Sequence, residues 1–397
     1  MSLLKPRLLN LDIAKKWTKD ARKWSPAHLL TGEKSPFPTS SELTVKRSSS
    51  RFFMYEEHGN MKLKDNDGPT ETIQQSPKDF AKLLHDTSKQ TYYYWTSPII
   101  DVAPSVLQEV KGYNRIHKNP QLLDPRGPSL WMGSSGSSTQ AHYDVADNII
   151  VQLYGTKRVR CYPPKAALDL YVYPDAHPRA RKSQVNFDHP DLNLYPRFQN
   201  LSEPHIDVLL KAGDAMYIPA FWFHHLENGI ASGTKLEKGM VDGPSVSMNM
   251  FALSNRMRVA QNIFIDSSRL FQNSSIDFDF AVTALGTLSK QLFLGLGTSY
   301  GKSFIRTHLL DTRYTPINSC DAVDMNRKKR TLTLSEEEII SNCVSTILPQ
   351  LSSLEEEGSD GVLDLVLCHL FELWAVELVG ASSVQQVWET VLLEDSE

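Results

Sequence analysis

The sequence predicts a mainly β fold: a jelly-roll or barrel core with an N-terminal elaboration and a helical C-terminal region. Two observations carry this expectation. Between about residues 92 and 253, short β-prone segments alternate with turn signals and few long helical patterns intervene, which favours a jelly-roll or barrel over a parallel α/β sheet. After about residue 255 the pattern turns helical in length and spacing. The 397 residues suffice for two or three domains. The expected divisions are 1–90 for the elaboration, 91–255 for the core and 256–397 for the helical region.

Taken in order, residues 1–50 read as an irregular or helical lead with a polar TSSELTVKRSSS segment. RFFMYEE (51–57) reads as strand, and HGNMKLKDNDGPTET as a loop rich in Gly, Asn and Asp. SPKDFAKLLHDTSK (76–89) reads as a helix capped by Ser76, with Pro77 in the first helical position, where its missing N–H costs nothing. QTYYYWTSPI is aromatic and β-prone. DNIIVQLYGTKRVRCYPP reads as strand, a turn at Gly155-Thr156, strand and a proline stop. KAGDAMYIPAFWFHHLEN repeats the idea, with a turn at Ala212-Gly213-Asp214 and a strand after it. PSVSMNMFAL alternates, placing Ser245, Ser247, Asn249 and Phe251 on one face and Val246, Met248 and Met250 on the other.

Beyond the core, RVAQNIFIDSSRLF, FAVTALGTLSKQLFLGL, SEEEIISNCVSTILPQL and residues 361–380 read as helices, with Ser335 and Glu338 as a capping box. The polar CDAVDMNRKKRT (320–331) reads as a linker, and no internal repeat is present.

Composition narrows the function classes. The balance of 41% hydrophobic and 22% charged residues is that of an ordinary globular protein. Four widely spaced cysteines without a C-x-x-C pair indicate a reducing compartment and no structural zinc. The N-terminus lacks a long apolar stretch and a small-residue cleavage site, so the expected location is intracellular, cytoplasmic or nuclear, with no membrane partner. The most apolar run, 361–380, carries Asp364, His369, Glu372 and Glu377, which would be very costly in lipid. A net charge of −4 argues against a strongly electrostatic nucleic-acid binder, though HPRARK (177–182) and NRKKR (326–330) are local basic runs. Such runs are as often solvated loops as phosphate contacts.

The chemistry centres on TQAHYDVADN (139–148). In an extended segment His142 and Asp144 share a face, because side chains alternate with period two. A histidine from FWFHHLEN, His224 or His225, would complete two histidines and a carboxylate, the set used by non-haem Fe(II) oxygenases. Alone, H-x-D is weak, occurs often by chance and reads more readily as a surface turn than as a site. Three further features shift that balance. Lys157, fifteen residues after His142, would need an anion if buried. Asn249 shares a face with two serines, as in a lined cavity. The Gly213-Asp214 turn brings the His224 strand back toward the centre.

These elements resemble the JmjC (cupin-type) domain of Fe(II)- and 2-oxoglutarate-dependent oxygenases. HYDVADN, GTKRVRCYPP, SQVNFDHPDLNLYPRF, AGDAMYIPAFWFHH and VSMNMF stand in the family's order over about 128–253. The resemblance implies a double-stranded β-helix core. It implies His142, Asp144 and His224 as the catalytic metal ligands, with His225 as their neighbour. It implies Lys157 as the anchor for 2-oxoglutarate, with Thr139, Asn148 and Asn249 as polar contacts and Tyr94, or else Tyr93, reaching the distal carboxylate. Fe(II), 2-oxoglutarate and O2 are the implied cofactors, and hydroxylation of a C–H bond with release of succinate and CO2 the implied reaction.

Two subfamilies are similar. HYDVADN, GTKRV, DHPDLNLYP and IPAFWFHH resemble the tRNA wybutosine hydroxylases, which act beside the phenylalanine anticodon. YVYPDAHPRARKSQVNFDHPDLNLYPRFQNL (171–201) resembles the asparaginyl hydroxylase of hypoxia-inducible factor and ankyrin repeats. Lys182 stands where that enzyme has a substrate-holding glutamine, and Phe251 where it has tryptophan, which counts against an asparagine substrate. In turn, SSGSSTQA before His142 departs from the tRNA enzymes, and Thr139 is closer to the protein hydroxylases. The expectation is therefore a tRNA partner first and a protein substrate second. A methyl-lysine demethylase ranks lower, since no aromatic cage is visible, as does an inactive cupin scaffold. The aromatic run Tyr92–Trp95 suits either base stacking or core packing. The apolar C-terminal helices suit either a homodimer or intramolecular packing.

Overall fold

The structure, a computed structural model, describes the chain except residues 1–4, 32–34, 39, 54–69, 87–90, 118, 230–242, 269, 271–276, 298–300, 318–329, 356–360 and 395–397. The described residues form two compact units. One is drawn from Met1–Tyr55, Lys64–Tyr162 and Glu203–Ser254, the other from Pro163–Ser202 and Asn255–Glu397. Residues 163–202, inside the span expected for the core, thus group with the C-terminal helices.

The first unit holds the strands: β1 (Arg7–Leu9), β2 (Leu43–Ser48), β3 (Phe52–Phe53), β4 (Glu71–Gln75), β5 (Tyr92–Pro98), β6 (Ser129–Gly133), β7 (Ser138–Tyr143), β8 (Asp147–Tyr154), β9 (Thr156–Tyr162), β10 (Ile206–Lys211), β11 (Ala215–Ile218), β12 (Phe223–Asn228) and β13 (Ser245–Ala252). They form an eight-stranded sheet, β1-β11-β8-β13-β6-β5-β2-β4, and a five-stranded sheet, β10-β9-β12-β7-β3. From β6 to β13 the pairing is palindromic: β6 with β13, β7 with β12, β8 with β11 and β9 with β10, all antiparallel. One long ribbon is folded on itself and wound so that successive strands switch sheets, which is a jelly-roll or double-stranded β-helix. The stretch after Gly213, expected as one strand, divides into β11 and β12 in different sheets, with Pro219–Trp222 as the crossing turn. Proline ends β11 because it cannot donate to the ladder.

Two apolar cores sandwich the large sheet. On its outer face Tyr93, Trp95, Ile149, Val151, Val246, Met248 and Met250 pack with Trp17, Trp24, Leu30, Phe37 and Phe80 of the N-terminal region. Between the sheets Ile150, Met216 and Ile218 meet Val159, Cys161, Leu210, Trp222 and Leu226. The alternation expected of β13 is present: its methionines and Val246 face the outer core, and its polar residues face inward.

The expected helix after residue 76 is present as Pro77–Leu84, with the Ser76 side chain accepting from Asp79 N–H. Of the expected strand 51–57, residues 54–57 lie outside the described residues, as do most of the loop 58–72 and residues 320–329 of the linker.

The second unit is built on the helices Asn255–Ser267, Phe278–Gly295, Leu334–Ser352, Val362–Val379 and Val384–Glu394. The capping box lies two residues earlier than expected, on Thr333 and Glu336, because the helix begins at Leu334. The Arg313 guanidinium is buried and donates to Asp175, 3.0 Å away, and to Glu372, while His369 Nδ1 lies 3.3 Å from Asp175. Burial pushes the Glu372 carboxyl above the usual carboxylate range, against the opposing pull of Arg313. No helix among the described residues is long and apolar enough to cross a membrane.

The β8–β9 turn rests on Gly155. Its φ is +67°, and a Cβ there would lie 2.4 Å from the Pro244 carbonyl oxygen. Gly155→Ala therefore combines left-handed strain with a backbone clash, and should destabilise the chain by about 2 kcal/mol or more, read as a lower urea midpoint.

Candidate metal centre

The palindromic pairing sets β7 against β12 so that His142 and His224 are direct cross-strand partners. Their rings stand 4.2 Å apart, centroid to centroid. Each Nδ1 faces a backbone carbonyl two residues back: Gln140 O at 2.7 Å from His142 and Trp222 O at 3.0 Å from His224. With Nδ1–H donating, Nε2 is left with its lone pair, which is the form that binds a metal. Asp144 follows β7, and its Oδ2 lies 3.5 Å from His224 Nε2. One ligand atom from each of the three residues lies within 4.8 Å of the others. Two imidazoles and a carboxylate, leaving other positions open, suit a redox-active divalent iron.

The turn between β11 and β12 is tied to the loop after β7. Phe221 N–H donates to Asp144 O at 2.7 Å, and Ala220 N–H to Asp147 Oδ1 at 2.9 Å. Phe221 is held at φ +67°, which costs a side-chain-bearing residue about 1–2 kcal/mol. Tyr143, between the two ligand positions, points the other way. Its ring stacks on Phe221 at 5.9 Å and meets Phe223 edge-on at 5.2 Å.

Lys157 is 2% exposed, on β9. Its Nζ donates to Ser247 Oγ of β13 at 2.8 Å, a bond that joins the two sheets. Burial alone lowers its pKa to about 7, with no charged group contributing to the shift. Such an ammonium is poised for an anion. Thr139 on β7, Asn148 on β8 and Asn249 on β13 are buried, and each carries a side-chain oxygen with no hydrogen-bond partner among the described residues. Buried polar atoms without partners are uncommon, and a polar ligand would satisfy them. Asn148 Nδ2 also lies 3.5 Å from Asp144 Oδ2, beside the triad. This donor set fits a metal ion with an anionic oxygen ligand.

Tyr94 and Tyr93 fall on opposite faces of β5. Tyr93 belongs to the outer core with Trp95. Tyr94 is 1% exposed, lies 5.9 Å from Trp131 and packs over Gly133, whose added Cβ would sit 2.8 Å from its ring and 2.4 Å from Asn228 Nδ2. Asn228 is in turn the cross-strand partner of Lys157. Alternation therefore favours Tyr94 as the tyrosine that looks toward the lysine, and the aromatic run serves packing.

Sequence reasoning missed several residues. Ser247 was visible as a polar inward position, but not as the lysine's partner. Asn228 carried no local signal, since only the β12–β9 register brings it opposite Lys157. Phe221 gave none either, because a left-handed phenylalanine cannot be read from composition.

Two expectations change. His225 does not support the triad, because it lies on the opposite face of β12. There its Nε2 is 3.1 Å from Ser138 Oγ and 3.8 Å from Glu227 Oε1. Burial opposes ionisation of Glu227, but His225, Arg160 and Arg51 more than offset it and hold the carboxyl well below the usual range. The basic run 177–182 is no solvated loop: His177, Arg179 and Lys182 are buried, with burial as the main force pulling the His177 pKa down to about 4. Of NRKKR only Arg330 is described, and it pairs with Glu336 at 2.9 Å.

Comparison with known proteins adds to this geometry. Residues 8–252 match the profile of the cupin-like domain family. A lysine-specific demethylase, JMJ31 of Arabidopsis thaliana, is 32% identical over 153 residues, covering 38% of this chain and 28% of that protein. The tRNA wybutosine-synthesizing protein 5 of Danio rerio is 39% identical over 110 residues, covering 27% and 31%. Its Homo sapiens counterpart is 40% identical over 96 residues, covering 24% and 28%. The chain spans about a third of the length of the curated relatives it matches.

The burial of Lys157 has a measurable consequence. Its folded pKa, about 7, lies below its ordinary value of 10.5, so the folded state resists the proton. The resulting destabilisation is full below pH 7 and fades as pH rises toward 10.5. Lys157→Met should raise the melting temperature of the ligand-free chain by several degrees at pH 6, with the gain shrinking to nothing by about pH 10.5.

Proposed function

The chain belongs to the cupin-like domain family, and from that premise we propose that it is an Fe(II)- and 2-oxoglutarate-dependent hydroxylase of wybutosine-type modified guanosine in phenylalanine tRNA. The observation that carries the chemistry is the convergence of His142, Asp144 and His224, with both imidazole Nδ1 atoms engaged by carbonyls. In this reading His142 Nε2, His224 Nε2 and the Asp144 carboxylate hold the iron. Bound there with 2-oxoglutarate and O2, the iron supplies oxidation of a C–H bond to C–OH, coupled to decarboxylation of the keto acid to succinate.

The chain's own residues then position and shield. The Lys157 ammonium, held by Ser247, takes the distal carboxylate of 2-oxoglutarate, with Tyr94 beside it. Thr139, Asn148 and Asn249 supply polar contacts along the cosubstrate. Ile150, Cys161 and Leu226, packed between the sheets, keep that part of the barrel dry.

The tRNA substrate is supported by the likeness to wybutosine-synthesizing proteins, at 39% identity over 110 residues and 40% over 96. A protein side-chain hydroxylase, acting on asparagine or lysine, is the second reading. Burial of Arg179 and Lys182 favours it by removing two cations from the stock available to phosphates. The demethylase relative keeps methyl-lysine as a further class, below these two, with an inactive scaffold last.

His142→Ala and Asp144→Ala should each reduce Fe(II)-dependent succinate formation to background. Full activity in both variants rules out the triad. For the substrate, nucleoside mass spectrometry of phenylalanine tRNA from cells with and without the gene should show loss of hydroxylated wybutosine. An unchanged profile turns the reading to peptides.

A further inference from the structure

We propose that Phe221 is a positioning residue for the His142–Asp144–His224 centre, a role that rests on the reading of that triad as a metal site. The three ligand positions come from two separate pieces of backbone. His142 and Asp144 lie at and just beyond the end of β7, and His224 lies at the start of β12. β-Pairing joins these pieces at Tyr143–Phe223 and His142–His224. Asp144 stands past the last pair, where no ladder bond to β12 restrains it.

Phe221 supplies that restraint in two ways. Its N–H donates to the Asp144 carbonyl at 2.7 Å, a bond made with the Phe221 backbone in the left-handed conformation, φ +67°. Its ring, 4% exposed, stacks on Tyr143 at 5.9 Å and 27°, and Tyr143 is also braced edge-on by Phe223. Tyr143 is the residue between His142 and Asp144. The backbone bond thus fixes the carboxylate side of the pair and the ring fixes the peptide between them. Ala220 N–H on Asp147 Oδ1, 2.9 Å, anchors the same turn from its other side.

The conformation itself argues for a role. Glycine adopts φ near +67° without strain, and a bulky side chain there is an outlier. Strained backbone persists where surrounding structure enforces it, and it gathers at functional sites. What the phenylalanine offers over glycine is its ring, and that ring stacks on Tyr143, the residue between two of the three ligand positions.

The test uses the full chain, Co(II) as the probe and titration calorimetry with the Co(II) absorption spectrum as readouts. Phe221→Gly keeps the turn accessible and removes the ring; Phe221→Tyr keeps the ring. Phe221→Gly should weaken Co(II) binding by tenfold or more, the loss usual for residues that orient ligands, and alter the Co(II) spectrum. Its metal-free melting temperature should stay within about 4 °C of the parent, since relieved strain offsets lost stacking. Phe221→Tyr should bind within twofold of the parent. Parent-like Co(II) affinity in Phe221→Gly overturns the proposal and leaves the metal reading intact. So does a large fall in its metal-free melting temperature, which marks a merely structural role, or failure of Phe221→Tyr to restore binding. Absence of Co(II) binding in the unsubstituted chain overturns both.

Discussion

The pairing of β7 with β12 is the constraint on which the rest of the site depends. His142 and His224 are separated by 82 residues yet sit as one cross-strand pair. Antiparallel partners have Cβ atoms about 4.5–5.5 Å apart, the spacing at which two imidazoles can share one ion. Nothing local could hold them so. The palindromic order of the jelly-roll makes the pairing obligatory, because β6 with β13 and β9 with β10 bracket it on either side. A slip of one residue would send every side chain of β12 to the wrong face, exchanging His224 for His225, which instead serves a buried polar cluster with Ser138 and Glu227.

The interior between the sheets is divided. One part is an ordinary apolar core of Ile150, Val159, Cys161, Met216, Ile218 and Leu226. The other holds Lys157, Ser247, Asn228, Gln152 and Asn249, several with buried oxygens that have no hydrogen-bond partner among the described residues. Such groups are unfavourable to bury: an unpaired polar atom costs about 1–3 kcal/mol, and a lone ammonium more. A fold selected for stability alone would fill that space with aliphatic side chains. The outer core, with Trp17, Trp24, Phe80 and Trp95 over the large sheet, is where the unit recovers its stability.

The charged residues that look most suited to a surface role behave otherwise. His177, Arg179 and Lys182 are folded into the second unit, and Arg313 is the hub of a buried network with Asp175, Glu372 and His369. Charge that is satisfied internally is not available to steer a polyanion. Recognition of an RNA would then rest on exposed residues elsewhere, and on shape and stacking as much as on phosphate contacts.

How much of this was legible follows from the range of each interaction. Alternation with period two is local, so the sequence by itself determined that Val246, Met248 and Met250 face one way and Ser245, Ser247 and Asn249 the other, and that Tyr143 turns from His142 and Asp144. The Ser76 cap and the helices after residue 255 were legible for the same reason. Two errors were also local: the capping box was misplaced by two residues because Thr333 and Ser335 are equally good caps, and 177–182 was misread because charge alone does not reveal burial. What only the tertiary structure decided was pairing at long range: His142 with His224, Asn228 with Lys157, Lys157 with Ser247 and Phe221 with Asp144. These depend on which distant strands close upon each other. That choice is made by folding β6–β9 back on β10–β13 and burying the apolar core between the two sheets, so no window of neighbouring residues contains it.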